Sequence, residues 1–275
     1  MMLRTEIRRP RRNWTASALG GAWLALIVSG SALVAPSTAD AGMIQMTLNK
    51  QSLSGYLALP KGAGTHPAVI VVHEWWGLTD WVKEQADSLA ASGYIAFAAD
   101  LYKGKVAVDS ETAHQYMSGL AEDEAVATLR RAADFLRSRD DVRAQAIGVV
   151  GWCMGGRYSI RLAAADPGIR ACVIYYGAPI TDPKAIAGLQ AAVLGNFGGE
   201  DKGPSPEQVQ EFEKALRAAG KKADFKIYAG AGHAFANINN PWGGYREAEA
   251  KDAWNRTLAF FGQELKKASV PKKKR

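Results

Sequence analysis

The stretch Gly151-Trp152-Cys153-Met154-Gly155-Gly156 restricts the chain to few folds because of what flanks it. Ala146-Ile147-Gly148-Val149-Val150 reads as a buried parallel strand, and residues 157–165 read as a helix. A G-x-C-x-G between a strand and a helix is the nucleophile-elbow pattern, with cysteine in place of serine. The reversal is so tight that side chains at 151 and 155 would collide with the adjoining strand and helix. Cys153 is then left above the sheet at a helix N-terminus, where free N–H groups and partial positive charge favour a thiolate and a developing oxyanion. Taken alone, the motif is equally consistent with a structural cysteine in a glycine-rich turn.

The rest of the chain alternates in a way that suits the elbow. Segments 43–48 and 53–59 predict an antiparallel hairpin. Strands are expected at 68–73, 94–98, 147–150, 171–176, 191–197 and 224–228. Helices are expected at 80–91, as one long element within 110–139, after the elbow, at 207–219 and at 244–267. Near-continuous apolar strands separated by amphipathic helices imply an α/β fold: a mostly parallel, twisted sheet with helices on both faces. Ligands of such sheets gather at the carboxyl ends of the strands. His73-Glu74-Trp75-Trp76-Gly77, Asp100-Leu101-Tyr102, Cys153, Gly198-Gly199-Glu200-Asp201 and Gly230-Ala231-Gly232-His233 all fall there.

The two ends stand apart from this body. Arg4, Arg8, Arg9, Arg11 and Arg12 precede an apolar run over 16–34, followed by Ser37-Thr38-Ala39-Asp40-Ala41. A basic head, an apolar run and an A-x-A site predict a secretory signal peptide over residues 1–41, cut after Ala41. The expectation is an exported protein, periplasmic or secreted, without a membrane span after processing; an uncleaved anchor is the alternative. The domain proper is expected at 42–265, with a basic tail at 266–275. The formal charge of +7 misleads, because the leader carries +3 and the tail +6, leaving −2 on the body. No basic patch with interleaved aromatics appears there, which argues against nucleic acid as a partner. Cys172 sits in a strand, too far from the elbow to bridge Cys153, so no disulfide is expected. No cysteine or histidine spacing suggests a metal, and no cofactor is called for.

A thiol nucleophile needs a base, and the base needs an orienting group. Cys153…Asp201…His233 follows the nucleophile–acid–histidine order of α/β-hydrolases. His233, in a glycine-flanked loop past the last strand, is favoured over His66, His73 and His114. Asp201 competes with Glu200 and Asp100, and its alternative reading is an Asx-turn. The oxyanion donors of this architecture would be the backbone N–H groups of Met154 and Trp75. Glu74 is a carboxylate placed where it could meet the thiol.

Together these segments resemble the dienelactone hydrolase family, a cysteine-dependent branch of the α/β-hydrolases, from about residue 55 to 261. Gly232-His233-Ala234-Phe235, Tyr245 and Ala253-Trp254-Asn255-Arg256-Thr257-Leu258-Ala259-Phe260-Phe261 add to the likeness. The resemblance implies an α/β-hydrolase fold and a Cys153–His233–Asp201 triad. It also implies that Glu74 holds the resting thiol neutral and accepts its proton when substrate arrives. The family's carboxylate-binding arginines are replaced: Lys103-Gly104-Lys105 stands after Asp100-Leu101-Tyr102, and Asn237 stands four residues past His233. Tyr102, Lys103 and Asn237 are the candidate substrate contacts, and a neutral ester or lactone becomes an option beside an anionic one. The expectation is a monomeric, exported hydrolase of a small-molecule ester or lactone. Another acyl-transfer hydrolase on the same triad, or a non-catalytic exported binding module, are the rivals.

Overall fold

Eight strands form one sheet in the order β1-β2-β4-β3-β5-β6-β7-β8. The computed structural model describes residues 41–266 apart from Asn49. The expected leader, except its last residue Ala41, and the tail past Lys266 lie outside the described residues. β1 (Ala41–Leu48) and β2 (Gln51–Ala58) are the antiparallel hairpin, and β2 runs antiparallel to β4 (Ile95–Ala99). β3 (His66–Val72), β4, β5 (Val142–Trp152), β6 (Ile169–Tyr175), β7 (Ala192–Gly198) and β8 (Ala223–Tyr228) are parallel.

The period of two along these strands decides which core each side chain enters. In β3, Ala68, Ile70 and Val72 join one apolar cluster, and Val69 and Val71 join the other. The first cluster is roofed by α3 (Glu122–Arg137), α4 (Met154–Ala165) and α6 (Pro206–Ala218) through Leu129, Leu136, Tyr158, Val209 and Phe212. The second is roofed by α1 (Asp80–Ala91) and α7 (Glu247–Phe261) through Val82, Leu89, Phe260 and Phe261. Burial on both faces is why the strands read as apolar runs rather than as alternating ones.

The structure corrects the expected helices in three places. The long element within 110–139 is two helices, α2 (Ser110–Gly119) and α3, because Leu120 and Ala121 are extended. Asp109 caps α2 by accepting the Thr112 N–H at 2.8 Å, while Glu122, Asp123 and Glu124 place negative charge at the start of α3. A short α5 (Pro183–Gly188), capped by Asp182, lies between two expected strands where no helix was expected. The final helix begins at Glu247 and passes into a π-helical turn at Gly262–Lys266. No helix among the described residues is long and apolar enough to cross a membrane.

Candidate active site

β5 and α4 meet at Cys153, whose φ of 54° and ψ of −118° put a non-glycine residue in a strained conformation. Its neighbours explain how the strain persists. A Cβ on Gly155 would lie on the carbonyl oxygens of Val72 and His73, and one on Gly151 would lie on the carbonyl of Gly155. The helix start is thus pressed against the end of β3. Backbone bonds from Cys153 N–H to Tyr175 O (3.0 Å) and from Arg157 N–H to Cys153 O (3.1 Å) hold the turn on both sides. Cys172 is fully buried opposite Val149, four residues before the elbow, or roughly 13 Å at a strand's rise per residue. Both cysteines are free thiols.

Asp201 follows β7 and His233 follows β8, and the two meet: His233 Nδ1 lies 2.8 Å from Asp201 Oδ2. The other carboxylate oxygen of Asp201 accepts the Gly203 N–H at 2.9 Å. The Asx-turn and the histidine partner, weighed as alternatives from sequence, are therefore both present, one on each oxygen. Cys153 lies close enough to the ring to act on its titration. Burial disfavours the imidazolium, but the contacts with Asp201 and Cys153 and their charges outweigh it, holding His233 up to about 10. The rival acids lie elsewhere. Asp100 accepts the N–H groups of Tyr102 (3.0 Å) and Gly104 (2.5 Å), and Glu200 is exposed.

His73 is fully buried, and serves the framework instead. Its Nδ1 lies 2.6 Å from Glu74 O, and its Nε2 accepts the Leu101 N–H at 3.1 Å. Burial pushes its pKa down, so the ring is neutral and ties the loop after β3 to the loop after β4.

Glu74 is 4% exposed. Asn237 Nδ2 donates to its Oε2 at 2.5 Å, and the Tyr176 hydroxyl donates to its Oε1 at 3.5 Å. Burial raises Glu74 to about 7, against the lowering effects of Asn237, the His233 charge and Tyr176. Tyr176 is the residue that sequence reasoning passed over as a strand position. It follows β6 with φ 38°, its ring lies 5.1 Å from that of His233, and it is fully buried. Burial first, then the charges of Glu74 and Cys153, raise its pKa well above the ordinary value. The available signal was its position: Tyr176-Gly177 closes a strand on the same rim as every other candidate.

The three candidate substrate contacts have other partners. Asn237 is buried on Glu74, and its Oδ1 accepts the Asn239 N–H at 2.8 Å. Lys103 pairs with Glu124 at 2.7 Å on the surface. Tyr102 is buried, with its hydroxyl 3.2 Å from Met154 Sδ. Met154 opens α4 directly after Cys153, Trp75 lies on the loop after β3, whose end packs on Gly155, and among the described residues the Trp75 N–H donates to no backbone acceptor. No group of three or more His, Cys, Asp or Glu that could hold a metal occurs among the described residues.

The profile described as "Dienelactone hydrolase family" matches residues 53–265. The chain is 31% identical over 237 residues to the "Putative carboxymethylenebutenolidase" of Methylorubrum extorquens, covering 81% of each chain. It is 33% identical over 230 residues to "Protein usf" of Aquifex pyrophilus, covering 81% of this chain and 98% of that one. The crystal structure of a "Putative Dienelactone Hydrolase" from Klebsiella pneumoniae subsp. pneumoniae superposes with a TM-score of 0.75 at 30% identity, over 82% of this chain and all of that one. With the elbow on β5, the acid after β7 and the histidine after β8, the chain is an α/β-hydrolase and belongs to the dienelactone hydrolase family.

Proposed function

We propose that the chain is an exported hydrolase of uncharged carboxylic esters or lactones that works through a Cys153–His233–Asp201 triad and a thioester intermediate. The observation that supports this reading is Nδ1 of His233 on Asp201 at 2.8 Å, with the thiol on a strained elbow near enough to raise the pKa of that ring.

The chemistry follows from those contacts. Transfer of the thiol proton from Cys153 to His233 is favoured because Asp201 and the sulfur charge it leaves behind both stabilise the imidazolium. The thiolate sulfur adds to the carbonyl carbon, and the N–H groups of Trp75 and Met154 receive the oxyanion, each worth ~3 kcal/mol. Collapse breaks the carbon–oxygen bond, and the departing alkoxide takes the proton from His233. A lactone leaves this alcohol attached to the acyl group. Water, deprotonated by His233, then adds to the thioester and releases the acid and the thiol. Glu74, protonated about half the time near pH 7, stands by as a second proton acceptor.

An uncharged substrate is supported by Asn237 and Lys103, since the first is buried on Glu74 and the second is paired with Glu124. Export rests on the basic head, apolar run and A-x-A site of residues 1–41, and a cut after Ala41 leaves β1 from Gly42 onward. The test is hydrolysis of p-nitrophenyl acetate and a small lactone panel by the mature protein beside Cys153→Ala. Turnover lost with the thiol is the expected result. Equal rates in both proteins would remove Cys153 as nucleophile and leave the binding-module reading in its place.

A further inference from the structure

Three tryptophans converge where the loop that carries Glu74 meets the loop that follows His233. Trp75 and Trp76 lie on the loop after β3, their ring centroids 5.1 Å apart. Trp242 reaches them from the loop before α7, with centroids 5.6 Å from Trp75 and 5.5 Å from Trp76. Trp242 is nevertheless 60% exposed. An indole so exposed, yet gathered onto two others, presents an apolar face beside the loop that carries Glu74.

The position of Trp242 is built into the backbone. Gly243 and Gly244 take φ values of 72° and 86°, which close a turn that side chains resist. Within it, Asn240 Oδ1 accepts the Trp242 N–H at 3.3 Å, and Asn240 Nδ2 donates to Gly243 O at 2.6 Å. The turn is then fastened to Asn237, whose carbonyl accepts the Asn240 N–H at 3.1 Å and whose Oδ1 accepts the Asn239 N–H. Asn237 also donates to Glu74, the residue next to Trp75 in the chain. One buried asparagine therefore places Trp242 relative to the loop that carries Trp75. On the other side, the Ala107 N–H bonds Trp76 O at 2.9 Å and fixes that loop in turn.

Resting on the hydrolase reading above, we propose that Trp242, with Trp75 and Trp76, forms a subsite for a flat, uncharged ring of the substrate. The ring spacing selects this occupant. The indoles touch one another at tilted, 44–62° angles, so no space is left between them for a caged cation. What remains is an outer surface on which a planar unsaturated group stacks or packs edge-on. Trp242 is thus a specificity-determining residue: it favours ring-bearing esters and lactones over aliphatic ones of the same reacting group.

The test compares dihydrocoumarin with δ-valerolactone, which share a six-membered lactone and differ in the fused benzene ring. Trp242→Ala is expected to lower kcat/KM for dihydrocoumarin about fivefold, chiefly through KM, with Trp242→Phe restoring most of it. The rate on δ-valerolactone should stay within about twofold of wild type. Equal losses on both lactones, or no loss on either, would overturn the subsite. Should wild type hydrolyse neither lactone, binding decides the subsite, and the hydrolase reading fails by itself only if the Cys153-dependent turnover of p-nitrophenyl acetate is absent as well. Titrating Cys153→Ala with dihydrocoumarin should quench tryptophan fluorescence saturably, and adding Trp242→Ala should abolish saturation. An unchanged titration in the double variant overturns the proposal.

Discussion

Replacing Glu74 by glutamine should stabilise the protein, and by an amount that depends on pH. The carboxyl is 4% exposed, its one hydrogen bond shorter than 3 Å comes from a neutral amide, and burial moves it from 4.5 to about 7. At about 1.4 kcal/mol per tenfold change in proton affinity, ionisation is less favourable in the folded chain by ~3 kcal/mol. Protons bind Glu74 more tightly folded than unfolded, so its favourable contribution is complete below about pH 4.5 and lost as pH rises through about 7. Glutamine keeps an acceptor for Asn237 Nδ2 and presents its own N–H groups to Tyr176, without a charge to bury. Urea unfolding of wild type and Glu74→Gln should differ by ~1 kcal/mol at about pH 5 and by ~3 kcal/mol at about pH 8.5, the variant being the more stable. Taking the difference at each pH cancels the titrations that the two proteins share. A gap that does not change between the two pH values would refute the reasoning, as would a variant less stable than wild type at the higher one.

Two further outcomes follow from the elbow and from the contact between Asp201 and His233. Asp201→Asn should leave the melting temperature close to wild type but lower kcat by about a thousandfold or more, because Nδ1 would lose the acceptor that sets the tautomer; a tenfold loss or less would make Asp201 a turn residue only. Gly155→Ala should cost ~3 kcal/mol or more in thermal or urea unfolding, since both obstructing groups are backbone carbonyls with little room to move. An unchanged melting temperature would show that α4 is not pressed against β3 as described.

The parts of the site that were legible in the sequence are those that depend on chain order alone. The elbow needs glycine at 151 and 155 because of contacts with the end of β3, and that need is written locally. Asp201 and His233 come at strand ends, so the sheet brings them together without any particular rotamer being known. Asn237 shows the opposite case. Its place four residues past His233 marks it as near the site, but its orientation follows from the turn at 237–240, which closes on its own side chain and leaves Nδ2 facing Glu74. Tyr176 was hidden by a change of backbone: β6 ends at Tyr175, and a positive φ at the next residue turns the phenol toward His233. The break between α2 and α3 was missed for a related reason, since two extended residues interrupt a helical pattern without a proline to announce it.

The neutral imidazole of His73 has a consequence for the acid limit of the enzyme. A buried histidine with a lowered pKa takes up its proton more readily unfolded than folded, so its contribution to stability is present above about 6.5 and fades as pH falls. Its Nε2 accepts the Leu101 N–H, and a proton there would turn acceptor into donor and set two N–H groups against each other. The first thing lost in acid would be the fastening between the loops after β3 and β4, and with it the placement of Trp75. A side chain buried beneath the site thus makes its own contribution to how the site withstands acid, one layer below the chemistry it supports.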